Sequence, residues 1–213
     1  AWVHGFGGKI LEQNKVYLDS PEMVASVDFA RSLVDQGIVP RGINGATLTS
    51  MFNAGRAAMT INGPWFIGEI DDGLDFGVAL LPRVEETGLM PKPYLGSEGV
   101  FMSARTAHPD IAYQIMRFLV SAESARTRFV EGSQLVANLG IYREVDLRSY
   151  PNLAVFREQA EQSITMPSTP QMQAVWSTMD NALAKAIFGD TPAIEALTSA
   201  KEKVQHDMKM MGK

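Results

Sequence analysis

The chain has 213 residues, 46% of them apolar, which is enough to bury a sizeable core in one or two domains. Charged residues make up 20% and the net charge is −5, so no basic stripe is available to neutralise phosphates, which argues against nucleic-acid binding. The absence of cysteine excludes a disulfide framework, thiolate chemistry and Cys-type metal sites, and no run of roughly 18 apolar residues is present to span a membrane.

The chain opens at Ala1-Trp2-Val3-His4-Gly5-Phe6-Gly7-Gly8 with neither an initiator Met nor a signal peptide, and it reads as the middle of a domain. A fragment is expected: an excised piece, or a chain whose remainder lies in another polypeptide or a fusion. Lys9 to Leu18 suits a short hairpin turning at Gln13-Asn14. Ser20-Pro21-Glu22 supplies an N-cap, a helix-opening proline and an acidic first turn, and Met23, Val27, Ala30 and Val34 follow at helical spacing until Gly37 stops them. A shorter helix is expected from about Ala46 to Ala54, with Leu48, Met51 and Phe52 on one face and Gly55 closing it.

Met59-Thr60-Ile61-Asn62-Gly63-Pro64-Trp65 is the most telling stretch. Its first residues suit a half-buried strand, Asn-Gly is turn chemistry, and Pro64 has the fixed φ of a first helical residue. Trp65 is thereby expected at the carboxyl end of a strand, the edge where open α/β sheets bind ligands, and an indole face suits the C–H face of a sugar ring. Position alone leaves open whether Trp65 plugs the core or serves as a platform. A one- or two-turn helix should end near Asp71-Asp72-Gly73, and Phe76 to Leu81 reads as a fully buried strand ended by Pro82. Arg83 to Pro93 is a loop, and Tyr94 to Ser103 resumes as a strand.

Pro109 opens a helix with Ile111, Ile115 and Leu119 on one stripe, another follows Ser121 through Ala125 and Phe129 to Gly132, and Pro151 starts a third. After Pro170 a long helix places Met172, Trp176, Met179, Leu183 and Ala186 on a single apolar face. The last helix, after Gly189-Asp190-Thr191-Pro192, bears Ile194, Leu197, Val204, Met208 and Met211. Helices alternating with strands point to an α/β fold.

Catalytic constellations are absent from the pattern. His4, His108 and His206 stand far apart without partner motifs, Gly96-Ser97-Glu98-Gly99 lacks the spacing of a nucleophile elbow, and no phosphate-binding glycine loop occurs. Asp71-Asp72 and Glu85-Glu86 are neighbours on loops, ill placed to oppose one another across a glycosidic bond, and read as solvated turn residues. No catalytic residue, metal site or cofactor is expected. Trp176 lies on its helix's apolar stripe, which a core role explains as well as a ligand role does.

Met59 to Trp65, followed by Phe76-Gly77-Val78-Ala79-Leu80-Leu81-Pro82 and Met166-Pro167, resembles the extracellular solute-binding proteins of the ABC sugar importers, the maltose/maltodextrin-binding proteins among them. The resemblance runs in order over nearly the whole chain. It implies a two-lobed periplasmic-binding-protein fold, one α/β lobe nearly complete and the other partial. Residues 1–93 and 147–213 would form the first lobe and 98–146 an excursion into the second, with hinge crossings near 94–97 and 144–147. It implies carbohydrate binding, maltose or maltodextrin, for ABC-transporter uptake, in the periplasm or outside the cell, with an oligosaccharide ligand and permease subunits as partners and membrane contact only through the permease. Trp65, Trp176 and Met166 match residues that line the family's sugar cleft, and each stacked ring should contribute about 1 kcal/mol beyond its buried area. Asp180 stands one helical turn after Trp176 where the family carries an arginine; a carboxylate accepts hydroxyl hydrogen bonds that a guanidinium would donate. Asp180 as a solvent-facing residue remains equally open. Tyr94 is a weaker candidate for the cleft, near a crossing. The alternatives are a carbohydrate-active enzyme domain and a binding domain fused to a permease. An isolated lobe would expose its cleft face and unpaired edges, a hazard for association or swapping between copies.

Overall fold

In chain order, the computed structural model, which describes residues 1–211, contains α1 (Trp2–Gly5), β1 (Leu11–Glu12), β2 (Lys15–Val16), α2 (Pro21–Asp35), α3 (Gly45–Asn53), a 3-10 turn (Pro64–Glu69) and β3 (Tyr94–Leu95). There follow α4 (Pro109–Leu119), α5 (Ala122–Val130), α6 (Ile141–Glu144), a 3-10 turn (Leu147–Ser149) and α7 (Pro151–Glu161). The order closes with β4 (Ile164–Thr165), α8 (Pro170–Leu183), a π-helical turn (Ala184–Phe188) and α9 (Ala193–Met211). Two compact units divide them: Ala1–Asn44, Leu81–Leu95 and Ser163–Lys213 form one, Gly45–Leu80 and Gly96–Gln162 the other.

In the first unit the local signals act as expected. Gln13 and Asn14 take φ of 48° and 62°, both left-handed, as a two-residue turn between twisted strands requires, and β1 pairs antiparallel with β2. Ser20 caps α2, its Oγ accepting the Met23 N–H at 3.3 Å, and Gly37 with φ of 73° ends it. The core gathers Leu18, Met23 and Val27 with Val175, Leu197 and Val204. Burial of such a side chain stabilises by roughly 1.5–3 kcal/mol. Buried Ala174, Ala182, Ala186, Ala193, Ala196 and Ala200 leave little side-chain volume between α8 and α9, so the two helices pack closely. Beyond α8 the π turn frees carbonyls that arginines meet: Arg31 Nη1 donates to Ala186 O at 3.5 Å and Arg41 Nη1 to Phe188 O at 2.9 Å. Lys201 and Asp19 form a half-buried ion pair at 2.7 Å.

The second unit is centred on Phe129, fully buried with Ala125, Ile141 and Leu153. Phe129 meets Tyr142 and Tyr150 edge-on at 5.6 and 5.2 Å, and the Tyr142 hydroxyl donates to Val136 O while accepting from Val136 N. Leu153 of α7 and Ile67 from the 3-10 turn join this core. Residues 45–80 and 147–162 group with 96–146 in this compact unit, Ile67 from the former and Leu147, Tyr150 and Leu153 from the latter meeting the Phe129 core.

Several expected elements differ. Residues 59–62 and 76–81 are not assigned to strands; Met59 is 88% exposed, and 76–80 alternates between half-buried and exposed rather than lying fully buried. A strand exists only where a neighbour completes its ladder, and the ladders among the described residues are β1–β2 and β3–β4. The strand expected over 94–103 is accordingly limited to Tyr94–Leu95, parallel to Ile164–Thr165. The stripe Ile111, Ile115 and Leu119 on α4 and the face of α3 are not buried, nor are Ile194 and Met211 of α9, whose core face is set by Ala193, Ala196, Leu197, Ala200 and Val204. Among the described residues no helix is long and apolar enough to cross a membrane.

Candidate functional site

Trp65 belongs to the second unit. Gly63 precedes the 3-10 turn in extended conformation, its N–H bonded to Asn62 Oδ1 at 2.8 Å and its carbonyl accepting the Phe66 N–H at 3.0 Å. Phe66 is buried and meets Phe52 edge-on at 5.6 Å. The turn is thus anchored by the residue after Trp65, and the indole itself remains 63% exposed. A core plug is excluded by that exposure; a platform is compatible with it.

The remaining candidates lie in the first unit. The parallel pair places Tyr94 opposite Ile164, and Met166 continues from β4 with its N–H bonded to Leu95 O at 3.1 Å. Met166 is half-buried. Trp176 was expected on the apolar stripe of its helix, but the buried stripe of α8 is Met172, Val175, Met179 and Ala182, and Trp176 stands 44% exposed at its margin. The Tyr94 ring meets it edge-on, centroids 6.5 Å apart at 77°. Asp180 follows one turn later and is exposed, so Trp176 and Asp180 share one open side of α8. An apolar indole face beside a carboxylate acceptor can take a molecule that is apolar on one side and hydroxylated on another.

His4 completes this cluster and carries no sequence signal beyond its residue type. Its ring lies edge-on to Tyr94 at 5.0 Å, and Nδ1 is 2.5 Å from Lys92 O, which makes Nδ1 the protonated nitrogen donating to that carbonyl. Burial holds its pKa below the ordinary histidine value; the Lys92 carbonyl acts the opposite way, and the positive charges of the N-terminus and Lys92 add to the lowering. Burial likewise raises the Tyr94 phenol. Beside them is a groove of about 360 Å³ lined by His4, Lys9, Glu12, Lys92, Tyr94 and Thr165 among others, with Lys9 and Glu12 paired at 2.8 Å. Lys9 and Glu12 are brought there by the hairpin, and Thr165 by β4. Each is an ordinary surface residue type, which is why sequence alone did not single it out. Asp71, Asp72, Glu85 and Glu86 are exposed turn residues. Among the described residues no three His, Cys, Asp or Glu side chains group as metal ligands would.

Comparison with known proteins gives concordant findings. The model of the bacterial extracellular solute-binding protein family matches residues 1–155. The galactooligosaccharide-binding protein of Bacillus subtilis (strain 168) is 24% identical over 218 residues, covering 96% of this chain and 52% of the relative. The maltotriose-binding protein of Pyrococcus abyssi is 28% identical over 189 residues, covering 86% of this chain and 42% of the relative. Among solved structures, the maltose/maltodextrin-binding domain from Bdellovibrio bacteriovorus bound to maltotriose superposes with a TM-score of 0.88 at 27% identity, over 98% of this chain and 56% of that one. The chain spans about half the length of the curated relatives it matches.

Proposed function

The chain belongs to the bacterial extracellular solute-binding protein family, with the α/β periplasmic-binding-protein fold and the location outside the cytoplasm expected of it, and from that premise we propose that it binds an oligosaccharide of the maltodextrin class for uptake by an ABC importer. In this reading the protein is a carrier and not an enzyme, and its partners are the sugar and the importer's permease subunits. Trp65 and Trp176 each stack on a sugar ring, Met166 supplies apolar contact, and Asp180 accepts hydroxyl hydrogen bonds. Tyr94, expected at the ligand itself, acts by holding the edge of Trp176.

One observation carries the proposal. Both candidate indoles are left open, Trp65 at 63% and Trp176 at 44%, although an indole is the side chain with the most apolar area to gain from burial. The names of the relatives support the sugar class: one binds galactooligosaccharide and another maltotriose. Titration of the chain with maltotriose and with a galactooligosaccharide, followed by tryptophan fluorescence and calorimetry, tests the reading. A saturable change is expected with maltotriose, no released glucose, and weaker binding in both Trp65→Ala and Trp176→Ala. Unchanged binding in both variants would refute the stacking roles, and release of shorter sugars would replace the carrier with a hydrolase.

A further inference from the structure

Gly63 is not explained by its backbone conformation, since φ of −95° and ψ of 175° are open to any residue. Space explains it instead. A Cβ built on Gly63 would stand 2.2, 2.3 and 2.5 Å from Cη2, Cζ3 and Cζ2 of Trp65. These are consecutive atoms of the six-membered ring. An approach at the ring's edge would leave the flanking atoms much farther than the middle one; the near equality places that Cβ over the ring's face. The indole therefore lies flat on the bare Cα of Gly63, one face closed by its own backbone and the other turned outward.

We infer that Gly63 is a positioning residue: its missing side chain lets the Trp65 indole lie back on the turn and present a single open face to a sugar ring. The inference rests on the stacking role proposed for Trp65. The surrounding turn makes the indole the part that must yield to a methyl group. Asn62 holds the Gly63 N–H at 2.8 Å, the Gly63 carbonyl holds Phe66 N–H at 3.0 Å, and Phe66 is buried, whereas the indole is largely exposed, so a methyl group on Gly63 would displace the ring and not the turn. Gly63→Ala should thus turn the ring away while the turn keeps its fold. A ring held in place also loses little rotational freedom when a ligand stacks on it, which favours affinity.

The test uses the chain labelled with 5-fluorotryptophan, whose three resonances are assigned by single Trp→Phe changes. In Gly63→Ala the Trp65 resonance is expected to move while those of Trp2 and Trp176 stay, and maltotriose affinity is expected to fall about tenfold, as for loss of one stacking contact. A second measurement needs no substitution at Gly63: in the unsubstituted protein the Gly63 Hα resonances should be shifted upfield by the ring current, and Trp65→Leu should abolish the shift. An unmoved Trp65 resonance together with unshifted Hα signals would overturn the inference. A moved resonance with unchanged maltotriose affinity would uphold the positioning by Gly63 and overturn the stacking role of Trp65, so the two failures are distinguishable.

Discussion

Tyr94 separates support of a platform from contact with a ligand. Its ring meets Trp176 at a centroid distance of 6.5 Å, near the outer end of the range of favourable aromatic pairs, so the contact sits near the low end of their energies, about 0.5 kcal/mol. If Tyr94 works by holding Trp176, Tyr94→Leu should weaken maltotriose binding only about twofold. Tyr94→Phe, which keeps the ring, should leave it unchanged. Trp176→Ala removes the platform itself, about 1–1.5 kcal/mol, and should cost about five- to tenfold. The double variant Tyr94→Leu/Trp176→Ala should bind no worse than Trp176→Ala alone, because a support has nothing left to hold. Calorimetric titration of the four variants with maltotriose measures all of these factors. If the Tyr94→Leu factor persists in the Trp176→Ala background, or Tyr94→Phe loses affinity by itself, Tyr94 touches the sugar directly and the reasoning fails.

Phe129→Ala should destabilise the second unit by about 3–5 kcal/mol, since Phe129 is fully buried between Tyr142 and Tyr150; urea unfolding followed by circular dichroism should show the midpoint falling. Ser20→Ala should cost about 1 kcal/mol through loss of the α2 cap, and a thermal melt that does not shift downward would contradict the assignment. His4 gives a pH dependence of definite sign. Its folded pKa lies below the ordinary 6.5, burial being the first cause, so the unfolded chain takes up this proton at higher pH. The stability it contributes is present above 6.5 and is lost as pH falls through the lowered folded value. Unfolding midpoints measured from about pH 7.5 to 5 should fall less steeply in His4→Asn than in the unsubstituted chain; equal slopes would remove His4 from the account.

Signals that act within a few residues were legible in the sequence. Gln13-Asn14 turned the hairpin, Ser20-Pro21 opened α2, and Gly37 and Gly55, both at positive φ, followed the ends of α2 and α3. Strands outside the hairpin were only partly legible, because a ladder is a property of two segments: 59–62 and 76–81 have strand composition but no ladder, while of the strand expected over 94–103 only Tyr94–Leu95 forms, by virtue of Ile164–Thr165, far along the chain. The exposure of Trp176 was not legible for a different reason. Spacing places Met172, Trp176, Met179 and Leu183 on one apolar face, but such a face is about 100° wide and periodicity does not say which residues occupy its centre. The centre of α8 is Val175 and Met179, both buried, and Trp176 falls at the margin, where Tyr94 closes one edge and the rest stays open. A margin is where a large apolar side chain can be fixed by the core without being covered by it. The positions that pattern reading resolves least are therefore those from which an indole can meet a sugar.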